Sequence, residues 1–386
     1  MNRPFEFAAP GRIVFGAGVR RQAGELALGL GRRALVVTGG RPERTAFLLE
    51  LLSAADVEFR VFSVPGEPTL ETARAGTARA LEAEADIVIG IGGGSAMDAA
   101  KAVGVLSANG GDPLDYLEVI GRGWPLEKPS LPVLAMPTTS GTGSEATRNA
   151  VLASPEHGVK ASLRSVTMIP RVALVDPELT YGLPPDVTAT TGMDALTQLI
   201  EPFLCRRSNP LVDSLCRDGM ARVARSLTRA CADGQDAAAR TDLALASLQG
   251  GLALANAGLG IVHGIAGPAG GRFPAPHGAL CAALLPHALT VNRRALRERQ
   301  PDSPVLPRLD EVARILTGRE DAGSAEGETW LRELSATLRI PPLRSHGIRP
   351  PHVPELAEKA LAASSTRANP VDLATDEVEE IIVMAL

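Results

Sequence analysis

Residues 87–103 read IVIGIGGGSAMDAAKAV. The β-branched run Ile87-Val88-Ile89 has the character of a buried strand. It passes through Gly90, Gly92, Gly93 and Gly94, and from Ser95 the small residues continue with helical character. A strand, a glycine turn and a helix N-terminus together form the geometry that holds a phosphate. Glycine lets the backbone approach closely, and unpaired N–H groups at the helix start point at the anion. Ser95 is the expected N-cap, and the alanines behind it allow close packing on a sheet. A plain structural turn has the same outline. Three consecutive glycines directly before a serine favour a pyrophosphate site. The spacing is not G-x-G-x-x-G, so an ordinary Rossmann domain is not expected.

Working outward, short apolar strands alternate with helical stretches on both sides of this turn. Strands are expected at 12–15, 34–38, 58–64, 131–136 and 172–175, with helices at 24–30, 43–55 and 70–84. This alternation predicts a mostly parallel sheet covered on both faces. Near residue 180 the pattern changes. After Asp176-Pro177 and Leu183-Pro184-Pro185 the strands stop, and apolar residues recur at three and four along 187–203, 210–231, 237–256, 279–292, 308–316, 329–338 and 354–363. Residues 318–328 read as a polar loop. Two domains follow: an α/β nucleotide-binding domain over 1–180 and an all-helical domain over 181–386.

The composition is globular, with 45% hydrophobic and 22% charged residues, and 386 residues leave room for two cores. A net charge of −5 gives no reason to expect nucleic acid or an anionic membrane as partner. No run approaches a membrane span and the start lacks a signal peptide's apolar core, so a cytoplasmic protein is expected. The four cysteines, Cys205, Cys216, Cys231 and Cys281, have no CxxC spacing and read as reduced, mostly buried thiols.

Three further stretches carry candidate chemistry. Residues 136–145, MPTTSGTGSE, follow an expected strand, where ligands of open parallel sheets bind. A hydroxyl-rich loop that merely caps the next helix fits the same residues. Within 192–198, GMDALTQ, Asp194 and Gln198 lie four apart and share a helix face. Asp194 has apolar neighbours, where a carboxylate is costly unless paired or bound to a metal. Residues 262–278 place His263 and His277 in a small, apolar setting. A lone histidine is more often structural. Two, with such an aspartate, suit a mononuclear metal site.

Taken together, GGGSAMDAAK at 92–101, PTTSGTGSE at 137–145 and GMDALT at 192–197 resemble the iron-containing (group III) alcohol dehydrogenase family. His263, Pro276-His277-Gly278, Leu284-Leu285-Pro286-His287, Ser364-Ser365 and Asn369-Pro370 extend the resemblance nearly end to end. It implies a dehydroquinate synthase-like fold and a deep cleft between the two domains. It also implies hydride transfer between NAD(P) and a small-molecule alcohol or aldehyde, and a homo-oligomer, expected as a dimer. Cofactor residues carried over by position are Gly39, Gly93, Gly94, Ser95, Thr138, Thr139, Thr142, Asn149 and Lys160, with Asp98 supporting the glycine turn. The metal positions are Asp194, Gln198, His263 and His277, for Fe²⁺ or Zn²⁺. Of these, Asp194, His263 and His277 are the expected catalytic set, through a metal that polarises the carbonyl oxygen.

Two departures stand out. The family's metal set is one Asp and three His, whereas Gln198 offers only a neutral amide oxygen. Four residues beyond His263, most relatives carry a second His thought to relay protons; here it is Gly267. Metal held weakly or not at all is therefore expected. Alternatives are a metal-independent keto-acid reductase resembling maleylacetate reductases, a non-redox lyase of the dehydroquinate synthase type, and a nucleotide-binding protein without catalysis. Relatives strict for NAD carry an Asp after the second strand. Gly39-Gly40-Arg41 lacks that charge, and Arg44 lies near, so NADP(H) is expected to be accepted at least comparably to NAD(H).

Overall fold

A computed structural model describes residues 4–386. The chain divides into two compact units, one of Ala8–Thr139 with Gly143–Tyr181, the other of Gly182–Leu386 with Ser140–Thr142 and residues 4–7.

The first unit is built on a six-stranded sheet. Its elements in chain order are β1 (Arg12–Phe15), α1 (Ala23–Leu28), β2 (Arg33–Thr38), α2 (Ala46–Ala54), β3 (Glu58–Ser63), α3 (Leu70–Glu82), β4 (Ile87–Gly92) and α4 (Gly94–Asn109). They continue with the short α5 (Pro113–Tyr116), β5 (Val133–Pro137), β6 (Asn149–Ser154), β7 (Val159–Arg164) and β8 (Val172–Val175). The strand order is β1-β8-β5-β4-β2-β3, with every pair parallel. Alternation along each strand divides the apolar residues between two layers. Val36, Ile87, Ile89 and Leu134 pack with Leu26 of α1 and Leu48 and Leu52 of α2. Leu35, Val37, Val88 and Val133 pack with Ala80 of α3 and Ala99 and Val103 of α4. β4 lies inside the sheet and every one of its residues is buried, which is why it reads as an unbroken apolar run rather than an alternation.

The antiparallel hairpin β6–β7, registered from Asn149↔Arg164 to Ser154↔Val159, was not expected from the sequence. Its strands are short, and although burial alternates along β6, Val151 and Ala153 stand on the less buried side and Ser154 on the buried one, so the hydropathy does not follow the period.

The second unit contains α6 (Pro185–Leu204), α7 (Pro210–Ala232), α8 (Ala237–Asn256), α9 (Ile261–Arg272), α10 (His277–Arg299), α11 (Leu306–Thr317), α12 (Ser324–Thr337), α13 (Val353–Ala362) and α14 (Thr375–Met384). Side chains stop the unpaired N–H groups at several starts. Asn209 accepts from Val212 N at the head of α7, and Asp236 from Ala239 N at the head of α8.

Three expectations need correction here. The polar segment 318–328 is only partly loop, because α12 begins at Ser324 with the Glu326 side chain accepting from Gly323 N. Helix α10 starts at His277 rather than Ala279, which places His277 in its first turn. Helix α9 is absent from the expected elements, its glycines and Pro268 weakening the helical signal. It forms because Ile261, Val262, Ile265, Ala266 and Ala269 are buried against the core of this unit, and packing outweighs weak propensity. Among the described residues no single helix is long and apolar enough to cross a membrane.

Candidate active site

In the helical unit, three helices bring four side chains to one point. Asp194 comes from α6, His263 from α9, and His277 and Cys281 from successive turns of α10. Their ligand-type atoms all lie within 4.8 Å of one another. Asp194 Oδ1 is 3.6 Å from His263 Nε2 and 3.8 Å from His277 Nε2. Cys281 Sγ is 3.6 Å from His277 Nε2 and 3.8 Å from His263 Nε2. Helix α10 comes this close to α6 because residue 278 is glycine. A Cβ there would sit 2.6 Å from the Thr190 carbonyl oxygen and 3.4 Å from Asp194 Cβ.

Burial sets the electrostatics. Asp194 is 1% exposed, yet its Oδ1 has no hydrogen-bond partner among the described residues. Leaving a charged acceptor so costs several kcal/mol, on the order of the 1–3 kcal/mol of a neutral group or more. The imidazole nitrogens are too far away to be its donors. Burial alone would push the Asp194 carboxyl up, but His277 and His263 outweigh it and the net shift is downward. Burial would likewise lower His263, but the Cys281 sulfur, Asp194 and Glu201 hold it well above the usual imidazole range. His277 is raised in the same way, Cys281 and Asp194 overcoming burial. The Asp194 oxygen thus faces two imidazoles without a hydrogen bond to either, a position that a divalent cation would satisfy. Carboxylate, imidazole and thiol suit Fe²⁺ or Zn²⁺ better than Mg²⁺ or Ca²⁺. The side chain of His277 is 31% exposed, against 2% for Asp194 and 7% for His263, so His277 is the most solvent-exposed of these three ligands.

Glu201, a residue not singled out from the sequence, completes the support. Its Oε2 lies 2.7 Å from His263 Nδ1 and its Oε1 accepts from Val262 N at 2.7 Å. A carboxylate only accepts, so Nδ1 carries a proton, and Nε2 is the nitrogen that would give its lone pair to a metal once its own proton is displaced. Asp194, Gln198 and Glu201 fall at i, i+4 and i+7 of α6, the signal by which Glu201 could have been found. Cys281, expected from the sequence only as a reduced, mostly buried thiol, stands one turn beyond His277. The i, i+4 spacing was visible, but the other partners come from remote helices.

Gln198 is buried on the same face of α6, and its amide nitrogen donates to the Gly141 carbonyl at 2.9 Å. Only its amide oxygen is left for a metal. At Gly267 a Cβ would meet nothing within 4 Å, so a larger side chain has room there.

In the α/β unit, β4 delivers Gly92, Gly93 and Gly94 to the head of α4. Gly92 has φ 153° and a Cβ on it would lie 2.7 Å from Ala96 Cβ and 3.3 Å from the Gly39 nitrogen, so the turn requires glycine. The N-cap is Gly93, not Ser95 as expected. Ser95 is the second helical residue, and no side chain caps this end. Ala96 N and Met97 N donate to Gly93 O at 3.1 and 3.2 Å, which leaves the Gly94 and Ser95 amides of this sixteen-residue helix as the ones an anion would meet. Thr138 N donates to Gly92 O at 2.8 Å, binding β5's end to the turn. Thr139 lies 3.4 Å from the place a Gly93 Cβ would occupy.

Asp98 accepts from Ser144 Oγ at 2.5 Å and from Val151 N at 3.0 Å, and Lys101 Nζ stands 3.1 Å from it. Its side chain fastens the hydroxyl-rich loop and β6 to α4. Lys101 also donates to Ser144 O and Thr147 Oγ1. Asn149 opens β6, and Lys160, on β7, pairs with Glu67 at 3.3 Å. Thr142 belongs to the three-residue segment that packs with the helical unit.

Comparison with known proteins agrees along the whole chain. Residues 10–177 match the iron-containing alcohol dehydrogenase model and residues 188–386 the Fe-containing alcohol dehydrogenase family C-terminal model. The chain is 35% identical over 338 residues to alcohol dehydrogenase 4 of Saccharomyces cerevisiae, covering 87% of this chain and 85% of that one. A crystal structure of 1,3-propanediol oxidoreductase superposes with a TM-score of 0.92 at 32% identity, covering 100% of both chains. Sulfoacetaldehyde reductase from Bifidobacterium kashiwanohense, solved in complex with NAD⁺, gives a TM-score of 0.85 at 27% identity over 100% of this chain and 99% of that one. With both family models matched in order and the fold shared end to end, the chain belongs to the iron-containing alcohol dehydrogenase family.

Proposed function

We propose that the protein is an NAD(P)-dependent alcohol dehydrogenase or aldehyde reductase that works with a divalent metal at Asp194, His263 and His277. The observation that carries this reading is the buried, unpartnered Asp194 oxygen set against two imidazole nitrogens. Asp194 supplies the anionic ligand, and Glu201 fixes the His263 tautomer so that Nε2 can coordinate. The partly exposed His277 marks the side from which a carbonyl oxygen approaches. The metal, when bound, polarises that oxygen, and the nicotinamide supplies the hydride. In the α/β unit, the Gly92–Gly94 turn offers the α4 amides to the pyrophosphate, with Gly39, Thr138 and Thr139 beside it. Thr142, Asn149 and Lys160 complete the cofactor set we assign, and Asp98 holds the loop that carries Ser144.

No aspartate follows β2, and Arg41 and Arg44 are exposed there, which supports use of NADP(H) as well as NAD(H). A metal-independent keto-acid reductase would have no need of a buried carboxylate aimed at two histidines. We assign the enzyme to the cytoplasm, acting on small alcohols and aldehydes. The test is oxidation of NADH and NADPH over an aldehyde panel, using protein as purified, metal-stripped and reloaded with Zn²⁺ or Fe²⁺. Turnover lost on stripping and regained on loading is expected. Equal rates in stripped and loaded protein would overturn the metal-dependent reading.

A further inference from the structure

We infer that Cys281 is a protein ligand of this metal site, so that the centre is Asp194/His263/His277/Cys281 and Gln198 is not its fourth donor. The inference rests on the reading that this cluster binds a divalent metal.

Geometry carries it. A tetrahedral ion with bonds of about 2.0–2.3 Å to oxygen, nitrogen and sulfur requires ligand-to-ligand edges of roughly 3.3–3.6 Å. Four edges of the cluster are 3.6, 3.8, 3.6 and 3.8 Å, two of them from the Cys281 sulfur to the two Nε2 atoms and two from Asp194 Oδ1 to the same atoms. The sulfur thus stands to both imidazoles as the carboxylate oxygen does. The second, independent pointer is Asp194 itself, buried with Oδ1 unpartnered and directed at the same atoms. Gln198, anchored by its amide nitrogen to the Gly141 carbonyl, offers only a neutral oxygen, a weaker donor for such an ion than a thiolate. Cys281 is fully buried, with no disulfide. Its place one turn after His277 lets one helix supply two adjacent ligands.

The chemistry differs from that of an amide donor. Binding forms a metal–sulfur bond and releases the thiol proton to solvent, so the site gains an anionic, polarisable ligand. Two anionic and two imidazole ligands offset the charge of a divalent ion, and a substrate oxygen would enter as a fifth ligand. Thiolate shifts preference towards borderline-soft Zn²⁺ and Co²⁺ and away from hard ions such as Mn²⁺ and Mg²⁺.

The test is cobalt(II) titration of the metal-stripped full-length protein, read by absorption. Wild type should develop visible d–d bands together with a near-ultraviolet thiolate-to-cobalt charge-transfer band. Cys281→Ser and Cys281→Ala should keep visible bands, lose the charge-transfer band, and bind cobalt at least about tenfold more weakly in chelator competition. Gln198→Ala should keep the charge-transfer band. Visible bands without a charge-transfer band in wild type, or a band that survives in both Cys281 variants, would overturn the thiolate assignment while leaving a metal site in place. Failure of wild type to bind cobalt at all would overturn both this inference and the metal-dependent function. X-ray absorption of the zinc-loaded wild type needs no variant to fold. A sulfur shell at about 2.3 Å is expected, and a shell of nitrogen and oxygen only refutes the proposal.

Discussion

Replacing Glu201 by Gln changes one atom and should cripple metal binding without touching a ligand. In the native arrangement Glu201 accepts twice, from Val262 N and from His263 Nδ1, each at 2.7 Å. A glutamine has one acceptor oxygen for these two positions and an NH₂ donor at the other. If its oxygen stays on Val262 N, its NH₂ group faces Nδ1 and drives the imidazole proton to Nε2, which removes the lone pair that would coordinate. If the amide turns over, NH₂ faces the Val262 N–H and two buried donors confront each other. That costs about 1–3 kcal/mol in a site this buried. At about 1.4 kcal/mol per tenfold, either route weakens metal binding roughly 10- to 100-fold, the range found when outer-sphere partners of metal-bound histidines are removed. The assay is competition for zinc against a chromophoric chelator, with wild type and variant metal-stripped alike and their folding compared by circular dichroism. Affinities within about twofold of each other would refute the reasoning, because they would mean that His263 does not present Nε2 to the metal or that Glu201 does not set its tautomer.

Other outcomes follow from the same structure. Gln198→His should tighten zinc binding, most clearly in a Cys281→Ala background where a ligand has been lost; equal affinities would show that residue 198 does not face the ion. Arg41→Asp should lower NADPH efficiency against NADH by at least about tenfold, measured as the ratio of kcat/KM values, and an unchanged ratio would remove Arg41 from the ribose site. Glu145 is buried, and this pushes its carboxyl from 4.5 up to about 7, with its own backbone N–H and Lys101 offsetting only part. The folded carboxyl holds its proton more tightly than the unfolded one. Its penalty is therefore absent below about pH 4.5, grows through the interval, and is complete above about pH 7. At 1.36 kcal/mol per pH unit, Glu145→Gln should stabilise by about 3 kcal/mol at pH 8 and by less than about 1 kcal/mol at pH 5. Urea unfolding at the two pH values checks this, and a gain independent of pH would count against it.

The parts of this protein legible from sequence are those whose cause is local. β4 and the glycines after it announce a strand and a turn because β-branched residues and the backbone freedom of Gly92 act within a few positions. The switch near residue 180 from strands to helical periodicity is local in the same sense, and so is the pairing of Asp194 with Gln198 on one helix face. What the sequence withheld depends on packing. Helix α9 exists because its apolar residues are buried, against a composition rich in glycine. His263, His277 and Asp194 converge because Gly278 lets α10 lie on α6, a distance that no spacing in the chain encodes. Cys281 and Glu201 sit one and two turns from residues already suspected. Their roles became visible only when three helices placed a sulfur 3.6 and 3.8 Å from two imidazoles and a carboxylate 2.7 Å behind one of them. Sequence periodicity determines which face of a helix a residue occupies, and tertiary packing decides what that face meets.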